Sequence, residues 1–239
     1  MARRALSTRL FALLVAALPC SCGGDEDGGG EAKKMDLVGE RRAAAKRASA
    51  AAEKGAPAEA ARLRRVDLIQ DLVFRKRRDG WGLLTPEAHV NVDKLRAAGL
   101  DLVFSAIAPE PGADPARSLE KQLAAHRALV AEAGGAVEVV AGLDEARAVR
   151  AAGRLPVMIL LEGASGLTLE GDRLYDLARS GLRMVGIVGS RGNRFGDAAV
   201  APSADSGLTA EGARLVDALR DQGVVVDLTH ASPAVFWDV

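Results

Sequence analysis

One module recurs along this chain and constrains its fold more than any other feature. A helical pattern ends at a glycine, and an apolar strand follows at once. Gly223 precedes Val224-Val225-Val226-Asp227-Leu228-Thr229-His230, a β-branched run that closes on an acid and a histidine. Gly99 precedes Leu100–Ile107, Gly153 precedes the strand from Pro156 to Glu162, and Gly181 precedes Leu182–Val188. Glycine suits the left-handed position just past a helix end. A strand without polar alternation is buried on both faces, as in parallel sheets wrapped in helices. An earlier strand over Val66–Gln70 and a short one over Val137–Val140 extend the alternation. That order implies a parallel sheet with right-handed crossovers.

The expected fold class is α/β, a partial (β/α) TIM-type barrel. About five of the eight strands are expected, near Val66–Gln70, Leu100–Ile107, Val157–Leu161, Arg183–Val188 and Val224–Leu228. A full barrel takes about 250 residues, more than lie between Val66 and Val239. An incomplete barrel is expected to leave edge strands and an open core face.

Helices are expected over Val92–Ala98, Ser118–Ala133, Leu143–Ala152, Asp172–Arg179 and Ala210–Gln222, the last with Thr209 as its N-cap. Val66–Val73 reads as the first strand and its exit, and Arg75–Arg78 as a solvated basic cluster.

Ahead of this domain lies a leader. Arg3, Arg4 and Arg9 precede an apolar run, Leu10–Leu18, of signal-peptide length and too short for a stable membrane anchor. Both cysteines of the chain, Cys20 and Cys22, follow directly, where a lipoprotein would be acylated. Residues 1–22 therefore read as a signal peptide of possible lipoprotein type, and 23–65 as a flexible, low-complexity tether rich in Gly, Ala and charge. The domain spans 66–239. Export to the cell envelope is expected, with Cys20 or Cys22 as the candidate lipid anchor. The domain has no cysteine, which excludes disulfides and cysteine metal sites. Lys and Arg together number 32, and so do Asp and Glu, so no basic surface points to nucleic acid or to a charged membrane patch.

Three strand ends carry metal-type ligands: Asp71, Glu162 and His230. In a β/α barrel these ends converge on one mouth. Carboxylate oxygen and imidazole nitrogen suit zinc or a related divalent ion. Polar strand ends can equally be solvent-facing. His89 reads as a surface loop residue and His126, on an apolar helix stripe, as a satisfied packing residue. The loop Gly189–Asp197 is polar and glycine-rich, of the kind that borders a pocket.

The order of motifs from Val66 onward resembles the membrane (renal-type) dipeptidases, zinc enzymes of the metal-dependent hydrolase barrel class. Leu161-Glu162-Gly163 resembles the family's Glu-Gly motif, which implies Glu162 as the catalytic carboxylate that bridges two zinc ions. Gly181-Leu182-Arg183 with Asn193 and Asp197 resembles its Gly-Val-Arg segment and following loop, which implies Asn193 and Asp197 as substrate-binding residues. Gly207-Leu208-Thr209, Gly212, Gly223 and Asp227-Leu228-Thr229-His230 resemble its Gly-Leu-Thr to Asp-Leu-Ser-His segment, which implies His230 as a zinc ligand. Asp71 matches the acid of the opening Asp-Gly-His-x-Asp motif, whereas Ile69 stands where its histidine belongs, and Gly189 where a substrate-polarising histidine is usual.

The resemblance implies hydrolysis of a dipeptide or similar small molecule by a metal-bound hydroxide. Ile69, and a chain end ahead of the family's later ligands, predict weak zinc binding and negligible turnover. Two other readings stay open. One is a non-catalytic exported lipoprotein that binds a small ligand at the barrel mouth. The other is a gene fragment without independent function.

Overall fold

The computed structural model describes residues 65–109, 114–200 and 206–239. The leader, both cysteines and the tether up to residue 64 lie outside the described residues. The elements run β1 (Val66–Gln70), α1 (Leu72–Asp79), α2 (Val92–Ala97), β2 (Leu102–Ile107), α3 (Pro115–Glu132), β3 (Val137–Val139), α4 (Leu143–Ala151) and β4 (Leu155–Leu161). After a 3₁₀ turn at Ala164–Gly166 come α5 (Arg173–Arg179), β5 (Leu182–Gly186), α6 (Ala210–Asp221), β6 (Val225–Asp227) and α7 (Pro233–Asp238).

Among the described residues the strands form one sheet, every pairing parallel, in the order β1-β2-β4-β5-β6. The short β3 lies off this path, against β4. Leu155 donates its N–H to Ala136, Val157 accepts from Val140, and Ile159 donates to Gly181. Alternate residues of a strand turn their backbone groups to the same edge. So β3 and β5 share one edge of β4 in succession, while β2 holds the other through pairs such as Val103 with Val157. This is the five-strand partial barrel path that the module predicts, with β3 added.

Crossover handedness sorts the helices. Going from β2 to β3, from β4 to β5 and from β5 to β6, the chain advances in one direction across the sheet. Leu119 and Leu123 of α3, Leu174 and Leu177 of α5 and Leu215 and Leu219 of α6 all pack on the same face, against Val103, Val157, Ile159, Leu161 and Val185. The step from β3 to β4 runs backwards. A right-handed crossover in reverse must pass over the opposite face. Accordingly Ala146 and Val149 of α4 pack with Leu102, Phe104, Met158, Leu160 and Met184. The face expected to stand open is thus partly covered.

Three local expectations need correction. Leu72 and Val73 continue no strand: they open α1, whose charged tail carries Arg75–Arg78. A final helix, α7, follows a Ser232 N-cap whose hydroxyl accepts from Val235 N–H at 3.2 Å. Its six residues are too few for a helical period to show. His126 is buried at 1% exposure as expected, but neither ring nitrogen has a partner among the described residues, and the Ser105 hydroxyl is also unpartnered. Burial, and to a lesser degree Arg127, lower its pKa to about 4. Thr209 does cap α6, accepting from Gly212 N–H at 3.0 Å. His89 is exposed and stacks on Trp81, ring centroids 5.1 Å apart.

Candidate metal and substrate site

β6 ends at Asp227, and a side-chain turn follows. Asp227 Oδ1 accepts from the Thr229 N–H at 2.9 Å and from its hydroxyl at 2.7 Å. The chain then reverses at His230, whose φ of 67° is the only positive value outside glycine among the described residues. A left-handed non-glycine residue is strained and persists only where its surroundings hold it. Here the Ala199 N–H donates to the His230 carbonyl at 2.8 Å. The result is a ring aimed at the end of β4. His230 Nε2 lies 3.0 Å from Glu162 Oε1, a hydrogen bond in the tautomer that carries the proton on Nε2. Both side chains keep some solvent access, 31% for His230 and 26% for Glu162.

Glu162 is set by the sheet. Its N–H donates to the Ile107 carbonyl at 2.8 Å, one step beyond the β2–β4 ladder. Gly163 then turns with φ 86°, and a Cβ there would lie 3.0 Å from the Gly189 nitrogen. The loops after β4 and β5 therefore press together at this point.

Asp71 reaches the same region through a fault in β1. Asp67 pairs with Val103, but Gln70 pairs with Ser105, so β1 carries one extra residue between them. Such a bulge re-aims side chains. Gln70 shares the face of Ser105, so Ile69 and Asp71 fall on the other face, that of Ala106. Asp71, Ala106, Gln122 and Glu162 line one cleft of about 410 Å³. Asp71 stands at the N-cap of α1, yet its side chain makes no cap hydrogen bond. Ile69 lines an adjoining pocket of about 140 Å³ with Asp71, Trp81 and His89.

A second cleft of about 360 Å³ shares Ala108, Pro109 and Glu162 with the first and is also lined by Ser165, Gly189, Ser190, Arg191 and Asn193. Asn193 lines it, but its amide is used inside its own loop. It donates to the Ile187 carbonyl at 2.9 Å and accepts from Phe195 N–H at 2.8 Å. Asp197 is not among the residues lining either cleft. Its carboxylate accepts from Ser206 N–H at 2.8 Å, and its carbonyl from Ser232 N–H at 3.1 Å. It braces the loop against the chain around α7. Ser190 and Arg191 lie in the loop expected to border a pocket, whereas Ser165 was not among the expected site residues. Their common signal is position just after a strand end, which marks the mouth of such folds.

The donor set suits a metal in part. Two ligands of one tetrahedral zinc, each about 2.0–2.2 Å from the ion, stand roughly 3.4 Å apart. The Glu162–His230 separation of 3.0 Å is within a few tenths of that. A catalytic zinc usually has three protein ligands. Among the described residues no group of three His, Cys, Asp or Glu side chains is close enough to hold an ion. Asp71 lines the same cleft as Glu162 but makes no hydrogen bond with the pair.

Comparison with known proteins bears on the fold and the family. A curated relative, an uncharacterized protein in the pqqA 5′ region of Klebsiella pneumoniae, is 29% identical over 133 residues, covering 54% of this chain and 49% of its own length. Among solved structures, the dipeptidase AC, a metallo peptidase of family M19, aligns at TM-score 0.63 and 23% identity over 74% of this chain and 59% of its own. A metallo peptidase from Rhodobacter sphaeroides, liganded with a phosphinate mimic of the dipeptide L-Ala-D-Ala, aligns at TM-score 0.62 and 22% identity over 74% of this chain and 61% of its own. The chain thus spans about half the length of that curated relative and three fifths of those two structures. At such identities the structural likeness speaks for the fold. The family model of the membrane dipeptidases matches residues 60–239, most of the chain and every described residue, and the chain belongs to that family, peptidase family M19.

Proposed function

We propose that this protein is a metal-dependent, dipeptidase-like hydrolase whose substrate is a dipeptide or a similarly small molecule. The observation that carries the proposal is the 3.0 Å approach of His230 Nε2 to Glu162 Oε1 at the carboxyl end of the sheet, with Asp71 lining the same cleft as Glu162. A buttressed, left-handed histidine backbone is retained there, although it costs on the order of 1–3 kcal/mol. Zinc is the proposed ion, with Glu162 and His230 as the residues that would hold it. When bound, such an ion supplies an acidified water and a polarised carbonyl. Glu162 would orient the attacking water. The cleft walls on either side would hold the two ends of the peptide. Export, with anchoring through Cys20 or Cys22, is part of the same proposal and rests on the leader.

Ile69 favours a second reading, a non-catalytic protein that binds a small ligand at the same mouth. An isoleucine has no lone pair to give, so the first ion would lack an imidazole. The deciding experiment uses the full chain with added zinc, assayed for alanylalanine cleavage beside Glu162→Gln. Turnover that this substitution abolishes supports the hydrolase. Ligand binding without turnover in either form leaves the binding protein.

A further inference from the structure

We infer that the layer between α3 and the sheet is an internal hydration site, in which one water molecule bridges the Ser105 hydroxyl and the imidazole of His126. Neither residue lines the two clefts beside Glu162, and the inference is independent of the hydrolase reading.

Ser105 and His126 are 0% and 1% exposed. Among the described residues the Ser105 hydroxyl and both ring nitrogens of His126 have no hydrogen-bond partner. Three such atoms in one small domain are unusual, because nearly all buried polar atoms are bonded to protein or to ordered water. A polar atom left dry loses its bonds to bulk water and gains nothing in return.

The two side chains meet in one layer. Leu119, Gln122, Leu123, His126 and Leu129 are the long buried residues of α3, at spacings of three and four that put them on one helical face. On β2, Ser105 stands two residues from Val103 and two from Ile107, hence on the same side of the strand. Val103 and Ile107 share a core cluster with Leu119, Leu123 and Leu129. Ser105 therefore faces the stripe that carries His126. A pocket of about 140 Å³ borders this layer from both sides. Gln70, which pairs with Ser105 across the β1–β2 ladder, lines it, and so does Leu129, the next residue of the stripe after His126. That pocket is the route by which water enters.

Water fits the chemistry better than an ion. Burial holds the His126 pKa down to about 4, so the ring is neutral at neutral pH, with one nitrogen a donor and the other an acceptor. A hydroxyl and a neutral imidazole carry no charge to hold an ion. Water both donates and accepts, so it can join the hydroxyl to either ring nitrogen, whichever tautomer is present. The two nitrogens point away from each other, and a second water serves the one that faces away from Ser105. Gln122, one helical turn before His126, lines the cleft with Asp71 and Glu162. The hydrated layer is thus part of the packing under that wall.

The test is solution NMR on the full chain at neutral pH, with isotope-labelled histidine. Cross-relaxation between water and the carbon-bound ring protons of His126 reports water held beside the ring. The His126 signals are identified by sequential assignment and by their loss in His126→Phe. The native chain should show this cross peak, with the sign of a water that stays longer than the molecule takes to tumble. Ser105→Ala removes the hydroxyl and little volume, and it should weaken the cross peak; a cooperative melting transition shows that this variant is folded. A native chain without the cross peak has a dry ring, which overturns the inference. A cross peak undiminished in Ser105→Ala overturns the bridge to Ser105.

Discussion

His230 brings its ring to Glu162 only by adopting a left-handed backbone. Glycine takes that conformation freely, whereas alanine pays for its Cβ. His230→Gly should therefore be more stable than His230→Ala by about 1 kcal/mol, read from chemical denaturation, with both losing the metal ligand. Ile69 is the complementary case, since the β1 bulge puts it on the face of Asp71. Ile69→His should raise zinc affinity about tenfold or more, measured by competition with a chelating dye; an unchanged affinity would mean that position 69 does not face the site. His126 tests burial rather than function. Its folded pKa of about 4 lies below the ordinary value of 6.5, so the unfolded chain takes up a proton first. Stability is then whole above pH 6.5 and falls as pH drops towards 4, by about 1.4 kcal/mol per pH unit at most. Denaturant titrations between pH 7.5 and 4.5 should show that slope, and His126→Leu should flatten it.

At the scale of elements, close approach decides which glycines are fixed. A helical glycine usually costs stability, so Gly→Ala in a helix gains up to about 1 kcal/mol. Gly212 in α6 should do the reverse, because a Cβ there would sit 2.0 Å from the Phe195 carbonyl oxygen. That contact holds α6 against the loop that carries Asn193 and Arg191. Gly212→Ala should lower stability by roughly 1–3 kcal/mol, visible as a drop in melting temperature. A stabilised variant would mean that the loop does not rest on the helix. The bulge in β1 and the reversed step from β3 to β4 belong to this scale too. The first re-aims two side chains, and the second sends α4 across the sheet.

For the molecule as a whole, the outer strands matter most. β1 and β6 are the two ends of the described sheet path. Val66, Leu68 and Ile69 on β1 and Val225 on β6 are between 42% and 52% exposed. Unpaired, apolar edges are templates for association. Sedimentation at rising concentration should show self-association of the 239-residue chain. Leu68→Lys together with Val225→Lys should suppress it, since an edge charge blocks strand pairing; association that persists unchanged would place the contact elsewhere.

The amino-acid order alone determined the class of fold and the residues at its strand ends. Glycine after each helix and unbroken apolar runs after each glycine leave little but a parallel sheet with crossovers, and Thr209, Glu162 and His230 were legible as cap and strand-end groups. These are local properties, set by backbone freedom and hydrophobic period. What faces what was not legible, because it depends on contacts between segments far apart in the chain. The separation of 68 positions between Glu162 and His230 closes to a 3.0 Å contact only through the sheet register and one left-handed residue. The side of the sheet that α4 covers depends on β3 pairing with β4 rather than with β2. Asn193 and Asp197 share one loop, yet packing turns one towards the cleft and the other to the braces around α7.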